Sequence, residues 1–233
     1  MKHSRSKNLD VLRGLAIVLM AVFHFGYYLS RAGLYEFSFQ DPKWIVLRFF
    51  VLLLFLSLIG VSLALQSKRG FNWRKFTLRT GVLGLCAGGI SLVTYITLPT
   101  HWVYFGILQF IFAATLFCLP IAARGKLSLF LGLAVVIDHF FIGLLNFQFL
   151  FTFLQPYLNL PNSTADITYF FPWISLVLIG IFLGHLPNRF AELRTNTLTL
   201  TLAWMGRHSL ILYFVHIALV AGLAFTLGWI FRN

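Results

Sequence analysis

Long apolar runs separated by short polar segments extend from one end of the chain to the other. A helix needs about 20 predominantly apolar residues to cross a hydrocarbon layer roughly 30 Å thick. We predict about seven spans, the sixth being the shortest, at 11–30, 44–66, 77–97, 102–121, 127–146, 172–187 and 209–231. The pattern therefore predicts an all-α, polytopic integral membrane helix bundle in which residues 1–233 form a single domain.

The first predicted span follows a basic opening, MKHSRSK, and so resembles the basic and apolar regions of a signal peptide. Its apolar stretch, LDVLRGLAIVLMAVFHF, is long, contains Arg13 and His24, and lacks a small-residue cleavage site. We therefore expect this segment to be retained as the first membrane helix.

Two further segments are predicted to lie along the membrane surface. Residues 147–171 form the only long outer loop of this scheme, and its stretch FQFLFTFLQPYLNL is apolar enough for the interface. Residues 196–206, NTLTLTLAWMG, are predicted to approach the last span without crossing the membrane.

Composition and charge agree with membrane burial. The chain is 59% hydrophobic and 10% charged, with a mean hydropathy of +0.86. The net charge of +12 does not indicate nucleic acid as a partner, because the basic residues sit in short clusters between apolar runs and not on one face or tail. The distribution of basic residues instead indicates how the chain is oriented in a lipid bilayer.

The positive-inside rule orients the predicted spans. A cytoplasmic N-terminus leaves only Arg31, Lys43, Arg48 and Arg232 outside. The same orientation puts the other basic residues inside, namely Lys2, Arg5, Lys7, Arg13, Lys68, Arg69, Arg74, Lys75, Arg79, Arg124, Lys126, Arg189, Arg194 and Arg207. An odd number of spans then places the C-terminus outside, and we expect a multi-pass protein of the inner (plasma) membrane.

The first span also carries the polar residues that point to chemistry. Arg13 and His24 are eleven positions apart, which places them about 20° apart around a helix and about 16 Å apart along it. Asp10 precedes Arg13 by three positions, so its carboxylate can pair with the guanidinium. The spacing predicts one polar stripe with a cation near the inner boundary and an imidazole deeper in the membrane.

Each of these residues has a simpler interpretation. Arg13 alone would serve as an interface anchor, and His24 alone would be a packed histidine bonded to a carbonyl. An imidazole inside a span is costly unless it faces a cavity or a partner, and this favours a functional role for His24.

Several segments of the chain resemble a known family. Arg13 and His24 stand in an arrangement of arginine, ten residues and histidine, and further matches are FLSLIGVSLAL (55–65), FGILQFI (105–111), DITYFFPW (166–173) and GRHSLILYFVHIAL (206–219). With these residues the chain resembles the bacterial membrane proteins related to the catalytic domain of heparan-α-glucosaminide N-acetyltransferase, within the membrane acyltransferase superfamily.

The resemblance implies transfer of an acyl group from cytoplasmic acetyl-CoA or another acyl-CoA to an amine or hydroxyl of a carbohydrate on the outer face. His24, Arg13 and Asp10 are then the candidate catalytic residues, with His24 as the base or as the nucleophile that carries the acyl group. Arg13, with Arg207 and His208, is the candidate site for the donor's phosphates. For Arg207 and His208 the alternative is ordinary positive-inside anchoring.

Four further residues are candidates for the acceptor site. Arg48, near the outer end of the second span, either faces the acceptor or anchors the helix. Asp166 is a candidate for the acceptor site only because of the resemblance. Relatives tend to have histidine where this chain has Gln109 and an acidic residue where it has Tyr28, so these two positions imply an altered substrate or a lost proton-handling partner.

Two other functions remain open from the sequence. Asp138, His24 and His216 would suit the proton relay of a small transporter, although internal repeats and paired helices broken by Gly or Pro are absent from the sequence. Alternatively, the chain is a non-catalytic partner subunit that kept the fold. No metal-ligand cluster is visible in the sequence, and a homo-oligomer is left open.

Overall fold

The computed structural model describes residues 7–145, 147–164, 166–187 and 194–232, and within them every regular element is helical. The α-helices are α1 (Lys7–Arg31), α2 (Pro42–Lys68), α3 (Trp73–Thr97), α4 (Ile107–Cys118), α5 (Gly125–Ile137), α6 (Phe147–Leu158), α7 (Phe170–His185), α8 (Thr197–Arg207) and α9 (Ser209–Arg232). A 3-10 turn, Leu119–Ile121, follows α4, and a π-helical turn, Asp138–Ile142, follows α5.

The predicted all-α class is confirmed, and the predicted spans each contain a helix. Five helices in the described residues are long and apolar enough to cross a membrane, namely α1, α2, α3, α9 and α5 extended by its π-helical turn. The fourth and sixth predicted spans form shorter apolar helices, Ile107–Ile121 and Phe170–His185. The number of crossings and the side on which each terminus lies stay predictions. Lys2, Arg5 and Arg189, which entered the topology argument, lie outside the described residues.

The chain folds as two compact units. The described parts of residues 1–55 and 188–233 form the first, which contains α1, the first half of α2, α8 and α9. Leu56–Pro187 forms the second, with the rest of α2 and α3 to α7. Both units are helical, and the single membrane domain stays a prediction.

Glycines bring α1 and α8 into backbone contact within the first unit. A methyl group added at Gly14 would overlap the carbonyl of Leu202, and one added at Gly206 would overlap the carbonyl of Asp10. Small residues at a helix interface allow this approach, which is a common basis of packing between membrane helices. The segment predicted to run along the membrane surface thus forms a helix packed on the first span.

Helix α9 also packs on α1 and runs in the same direction as α1. His24 contacts His216, and Ala32, one residue past the end of α1, lies against Gly228. Because later positions of α1 meet later positions of α9, the two helices are parallel. This arrangement places the polar stripe of α1 beside the end of α8 and the start of α9.

Helix α7 is the centre of the second unit. Its buried positions Ile174, Val177 and Ile181 are fully covered. On one side it meets α2, where a methyl group added at Gly60 or Gly180 would overlap backbone atoms of the other helix. Apolar side chains of α7 and close helix contacts at glycines thus form much of the core of this unit.

Candidate active site

Asp10 is the most deeply buried charged side chain of the first unit and lies between two guanidinium groups. Its side chain is 1% exposed, and its Oδ1 accepts a hydrogen bond from Nη1 of Arg13 at 3.2 Å. Its Oδ2 lies 3.6 Å from Nε of Arg207, an ion pair between α1 and the end of α8. The pairing expected between Asp10 and Arg13 is present, and Arg207 joins it from the other end of the chain.

The local packing explains why Arg207 reaches α1. Gly206 lies directly against the carbonyl of Asp10, with no room for a side chain. The next residue, Arg207, therefore starts within reach of the Asp10 carboxylate. One carboxylate between two guanidinium groups leaves a net positive charge, and Arg207 remains 56% exposed. This cluster of Asp10, Arg13 and Arg207 is called the cationic cluster below.

His24 makes a hydrogen bond that fixes its tautomer. Its Nδ1 lies 2.9 Å from the carbonyl oxygen of Met20, one turn earlier in α1. Because a carbonyl oxygen only accepts, Nδ1 carries the proton, and Nε2 is the basic nitrogen of the neutral ring.

His216, on α9, is the neighbour of His24. Its Nε2 lies 3.3 Å from Nδ1 of His24, and the two ring centroids are 5.0 Å apart in an edge-on arrangement. Nδ1 of His216 lies 2.7 Å from the carbonyl oxygen of Tyr213 and 3.2 Å from that of Leu212. Nδ1 of His216 therefore donates to the backbone, and Nε2 of His216 accepts a hydrogen bond from Nδ1–H of His24. His216 is buried, so this acceptor is held in place.

The sequence indicated His216 only as a possible member of a relay, and its contact with His24 was not predicted. The available signal was that His216 lies on the last predicted span, within the segment GRHSLILYFVHIAL. The spacing of one helix cannot show which residue of another helix, 192 positions away, it will meet.

The remaining residue of the predicted donor site, His208, lies at the same end of the first unit. His208 follows Arg207 directly, and its Nδ1 lies 2.9 Å from the carbonyl oxygen of Trp204. Its ring packs on that of Trp204 with centroids 4.8 Å apart, and the side chain is exposed.

Two candidate acceptor residues also belong to this unit. Tyr28 lies one turn beyond His24, and its ring contacts that of Phe225 on α9 with centroids 6.2 Å apart. Arg48 is exposed on α2. The structure therefore brings Tyr28 to the α9 side of α1, where His24 also lies.

Gln109 belongs to the second unit and has structural partners. Its Nε2 donates to the carbonyl oxygen of Ala87 and to Oγ of Ser91, each at 2.9 Å, and so ties α4 to α3. Its Oε1 accepts from the backbone N–H of Gly106 at 3.1 Å, as part of the N-terminal cap of α4. Contact of Gln109 with an acceptor stays a prediction.

Asp166 also caps α4. Its Oδ2 accepts from the backbone N–H of Ile107 at 3.1 Å, where a carboxylate interacts favourably with the helix dipole. The backbone N–H of Thr168 donates to the carbonyl oxygen of Phe105 at 2.9 Å. The segments FGILQFI and DITYFFPW thus contact each other in the fold, and a role of Asp166 toward an acceptor stays a prediction.

Asp138, considered for a proton relay, lies in the second unit, whereas His24 and His216 lie in the first. Its carboxylate accepts from the backbone N–H groups of Leu144 at 3.1 Å and Leu145 at 2.8 Å. These bonds close the end of the π-helical turn, so the structure gives Asp138 a capping role. Among the described residues, no three side chains of His, Cys, Asp or Glu come together in a group able to hold a metal ion.

The helical fold and the apolar helices define a membrane protein whose first unit carries a cationic cluster and a histidine pair. Residues 5–218 match the family described as heparan-alpha-glucosaminide N-acetyltransferase, catalytic. The match covers most of the chain, and the protein therefore belongs to this family of membrane acetyltransferases. The resemblance seen in the sequence is confirmed. Comparison with curated proteins and with solved structures gave no match.

Proposed function

We propose that the protein is an acyltransferase of the inner membrane that moves an acetyl or other acyl group from cytoplasmic acyl-CoA to a sugar amine or hydroxyl on the outer face. The observation that carries this proposal is the pairing of His24 with His216 on the same side of α1 as the cationic cluster. Membership in the acetyltransferase family supports the reaction type and acetyl-CoA as the donor.

The cationic cluster is suited to the donor's phosphates. Asp10 orients Arg13 and Arg207 while cancelling only one of their two charges. Guanidinium groups bind phosphate through paired hydrogen bonds, and the exposed side chain of Arg207 can turn toward a nucleotide. Exposed His208 lies next to it. Arg13 and His24 are about 16 Å apart along α1, a distance that the pantetheine arm of CoA can span.

His24 is suited to act as the base. The acceptor's amine or hydroxyl attacks the thioester carbonyl while Nε2 of His24 takes its proton, and the bond between the carbonyl carbon and sulfur then breaks. The leaving thiolate takes the proton from His24 to give CoA thiol and the acylated sugar. The hydrogen bond that Nδ1–H donates to the carbonyl of Met20 holds the proton on Nδ1 and so keeps Nε2 available for this role.

His216 is suited to stabilise the protonated state of His24. When Nε2 of His24 takes a proton, the ring becomes an imidazolium whose Nδ1–H is shared between the carbonyl oxygen of Met20 at 2.9 Å and Nε2 of His216 at 3.3 Å. A hydrogen bond from a charged donor is roughly twice as strong as one between neutral groups. The bond is present in the neutral pair and strengthens when the charge forms, and such a difference is the condition for accelerating the reaction.

An acyl-histidine intermediate uses the same atoms in a different order. Nε2 of His24 then attacks the thioester carbonyl itself and the CoA thiolate leaves. The acceptor next attacks the acyl-imidazole, Nε2 is the leaving group, and the acceptor's proton converts the thiolate to CoA thiol. The geometry of His24 fits both routes. Incubating the protein with radiolabelled acetyl-CoA and no acceptor separates them, because only the acyl-histidine route labels the protein.

The test of the proposal is release of CoA thiol by the protein in nanodiscs, with acetyl-CoA as donor and an amino-sugar oligosaccharide as acceptor. His24→Ala is expected to lower turnover at least about 100-fold, because it removes the base. His139→Ala is the matched control, since His139 is an exposed histidine of the second unit and should leave turnover unchanged.

A cellular readout complements the purified protein. Mass spectrometry of envelope glycans from cells with the wild-type chain, with His24→Ala and without the gene should show acylation only in the first. If His24→Ala cells keep normal acylation and growth, the chain acts as a non-catalytic subunit instead. Flux of protons into vesicles without thiol release would indicate a transporter.

A further inference from the structure

A basic groove lies where α1 and α9 end, away from the cationic cluster and beyond the histidine pair. It has a volume of about 420 Å³ and is lined by Arg31, Ala32, Phe225, Gly228, Trp229 and Arg232. All of these residues belong to the first unit. The two arginines are the last residues of their helices. This cavity is called the arginine groove below.

The simplest role for an arginine at a helix end is to bond the last carbonyl groups, and α1 does not need it. The backbone N–H of Leu34 donates to the carbonyl of Leu29 at 3.0 Å, and that of Gly33 donates to the carbonyl of Ser30 at 2.9 Å. This is the Schellman arrangement, with Gly33 in the left-handed conformation at φ +75°. The carbonyls of Leu29 and Ser30 therefore already have backbone donors and do not need an arginine side chain.

The fold holds Arg232 over this turn. A methyl group at Gly228 would press against Ala32, so α9 packs closely on the residues that end α1. A side chain at Gly33 would overlap the guanidinium of Arg232, which shows that this group lies directly against the turn. Arg232 is thus positioned in the groove by the packing of two glycines.

The arginine groove has a positive charge that the described residues do not balance. The ion pairs found among these residues join Arg13, Arg207 and Lys43 to carboxylates, and neither Arg31 nor Arg232 takes part in one. Within the part of the chain that the structure describes, no carboxylate lines the groove. Two guanidinium groups facing one cavity repel each other, and a bound anion would relieve that repulsion while accepting their hydrogen bonds.

The rest of the lining is apolar and open to the surroundings. Trp229 is 69% exposed and Phe225 is 51% exposed. Tryptophan and arginine near the end of a membrane helix are typical of the interface between lipid and water. A ligand of this groove would therefore contact guanidinium groups with one part and aromatic side chains with another, and an amphipathic anion fits both.

We propose that the arginine groove is a binding site for an anionic phospholipid, with the lipid phosphate between Arg31 and Arg232 and an acyl chain against Phe225 and Trp229. Guanidinium groups bind phosphate in pairs of hydrogen bonds, and the site selects lipids with a net negative charge. This site is independent of the acyl transfer proposed above, and its test needs no acyl donor.

Trp229 provides a local reporter for the experiment. The purified protein in detergent is titrated with phosphatidylglycerol or with phosphatidylcholine, each with brominated acyl chains that quench nearby tryptophans. The component of fluorescence lost in Trp229→Phe isolates the signal of the groove. We expect phosphatidylglycerol to quench this component at about tenfold lower mole fraction than phosphatidylcholine. Equal quenching by the two lipids would overturn the proposal.

Charge variants identify the groups responsible. Arg31→Gln/Arg232→Gln is expected to abolish the preference for phosphatidylglycerol, and Arg74→Gln/Lys75→Gln, which removes the same charge from the exposed start of α3, should keep it. A preference that survives loss of both groove arginines would contradict the assignment. Inorganic phosphate alone is added in a further arm. If it changes the Trp229 signal and prevents quenching at millimolar concentration, the groove is a site for soluble anions and not for lipid.

Discussion

Nε2 of His216 lies 3.3 Å from Nδ1 of His24, so the histidine of the last helix accepts a hydrogen bond from the histidine of the first helix. Each ring also bonds a backbone carbonyl of its own helix through Nδ1, at Met20 for His24 and at Tyr213 for His216. Both tautomers are therefore fixed by the helices themselves. The pair forms a directional chain in which a charge developing on His24 can be shared with His216.

His216 is expected to act as a positioning residue through His24. His216→Phe should lower kcat about tenfold or more, because it removes an acceptor for the charged ring, while KM for acyl-CoA stays near its wild-type value. His216→Gln keeps an acceptor and should recover part of the loss. Steady-state thiol release across a pH series checks this, and an equal loss in both variants together with a lower melting temperature would indicate a structural role only.

Arg207 is expected to bind the phosphates of the donor. Arg207→Gln should raise KM for acetyl-CoA about tenfold and leave KM for acetyl-pantetheine, which lacks the nucleotide, unchanged. Arg69→Gln, at an exposed arginine of the second unit, is the control and should affect neither donor. If Arg207→Gln weakens both donors alike, the guanidinium does not act on the nucleotide.

Asp10 is expected to stabilise the first unit. Its carboxylate is buried, and Asp10→Ala would leave Arg13, which is 19% exposed, without this partner. Loss of one member of a buried pair is costly, and partial exposure of both arginines reduces the effect to about 1–3 kcal/mol. A thermal unfolding series checks this, with Asp10→Ala/Arg13→Ala expected to be more stable than Asp10→Ala alone. The opposite order would show that the pair contributes little.

Close packing at Gly206 is expected to control both stability and the donor site. Gly206→Ala would force the end of α8 away from the Asp10 carbonyl and with it Arg207. The variant should melt several degrees lower and show a higher KM for acetyl-CoA. Gly222→Ala is the matched control, because a methyl group at Gly222 of α9 meets open space. Similar behaviour of the two variants would contradict the packing argument.

Gln109 is expected to stabilise the junction of α3 and α4. Gln109→Ala removes three hydrogen bonds and leaves backbone groups of α4 without their cap, at a cost of about 1–3 kcal/mol. Gln109→Glu keeps the acceptor for Gly106 but sets a carboxylate oxygen against the carbonyl oxygen of Ala87, and should be no more stable than Gln109→Ala. Melting temperatures check the order of the two variants, and activity measured well below them shows whether Gln109 also acts on the acceptor.

Much of the fold follows from local pattern. The apolar runs predicted the long helices α1, α2, α3 and α9 to within a few residues, because membrane burial requires a helix wherever a run is long enough. The fourth helix begins at Ile107, five residues later than predicted, since Gly106, Gln109 and Asp166 cap it there. Asp166 is distant in sequence, and its contribution to this cap is invisible to any local pattern.

The sequence by itself determined the helical class, the shared face of Asp10, Arg13 and His24, and the family, because these depend on runs and spacings within single segments. Only the tertiary structure decided that Arg207 pairs with Asp10 and that His216 accepts a hydrogen bond from His24. The physical reason is that glycines at 14 and 206 let α8 lie on α1 at backbone contact, and the chain then enters α9 beside the same stripe. Contacts between helices separated by nearly 200 residues depend on that packing. The periodicity within either helix does not predict them.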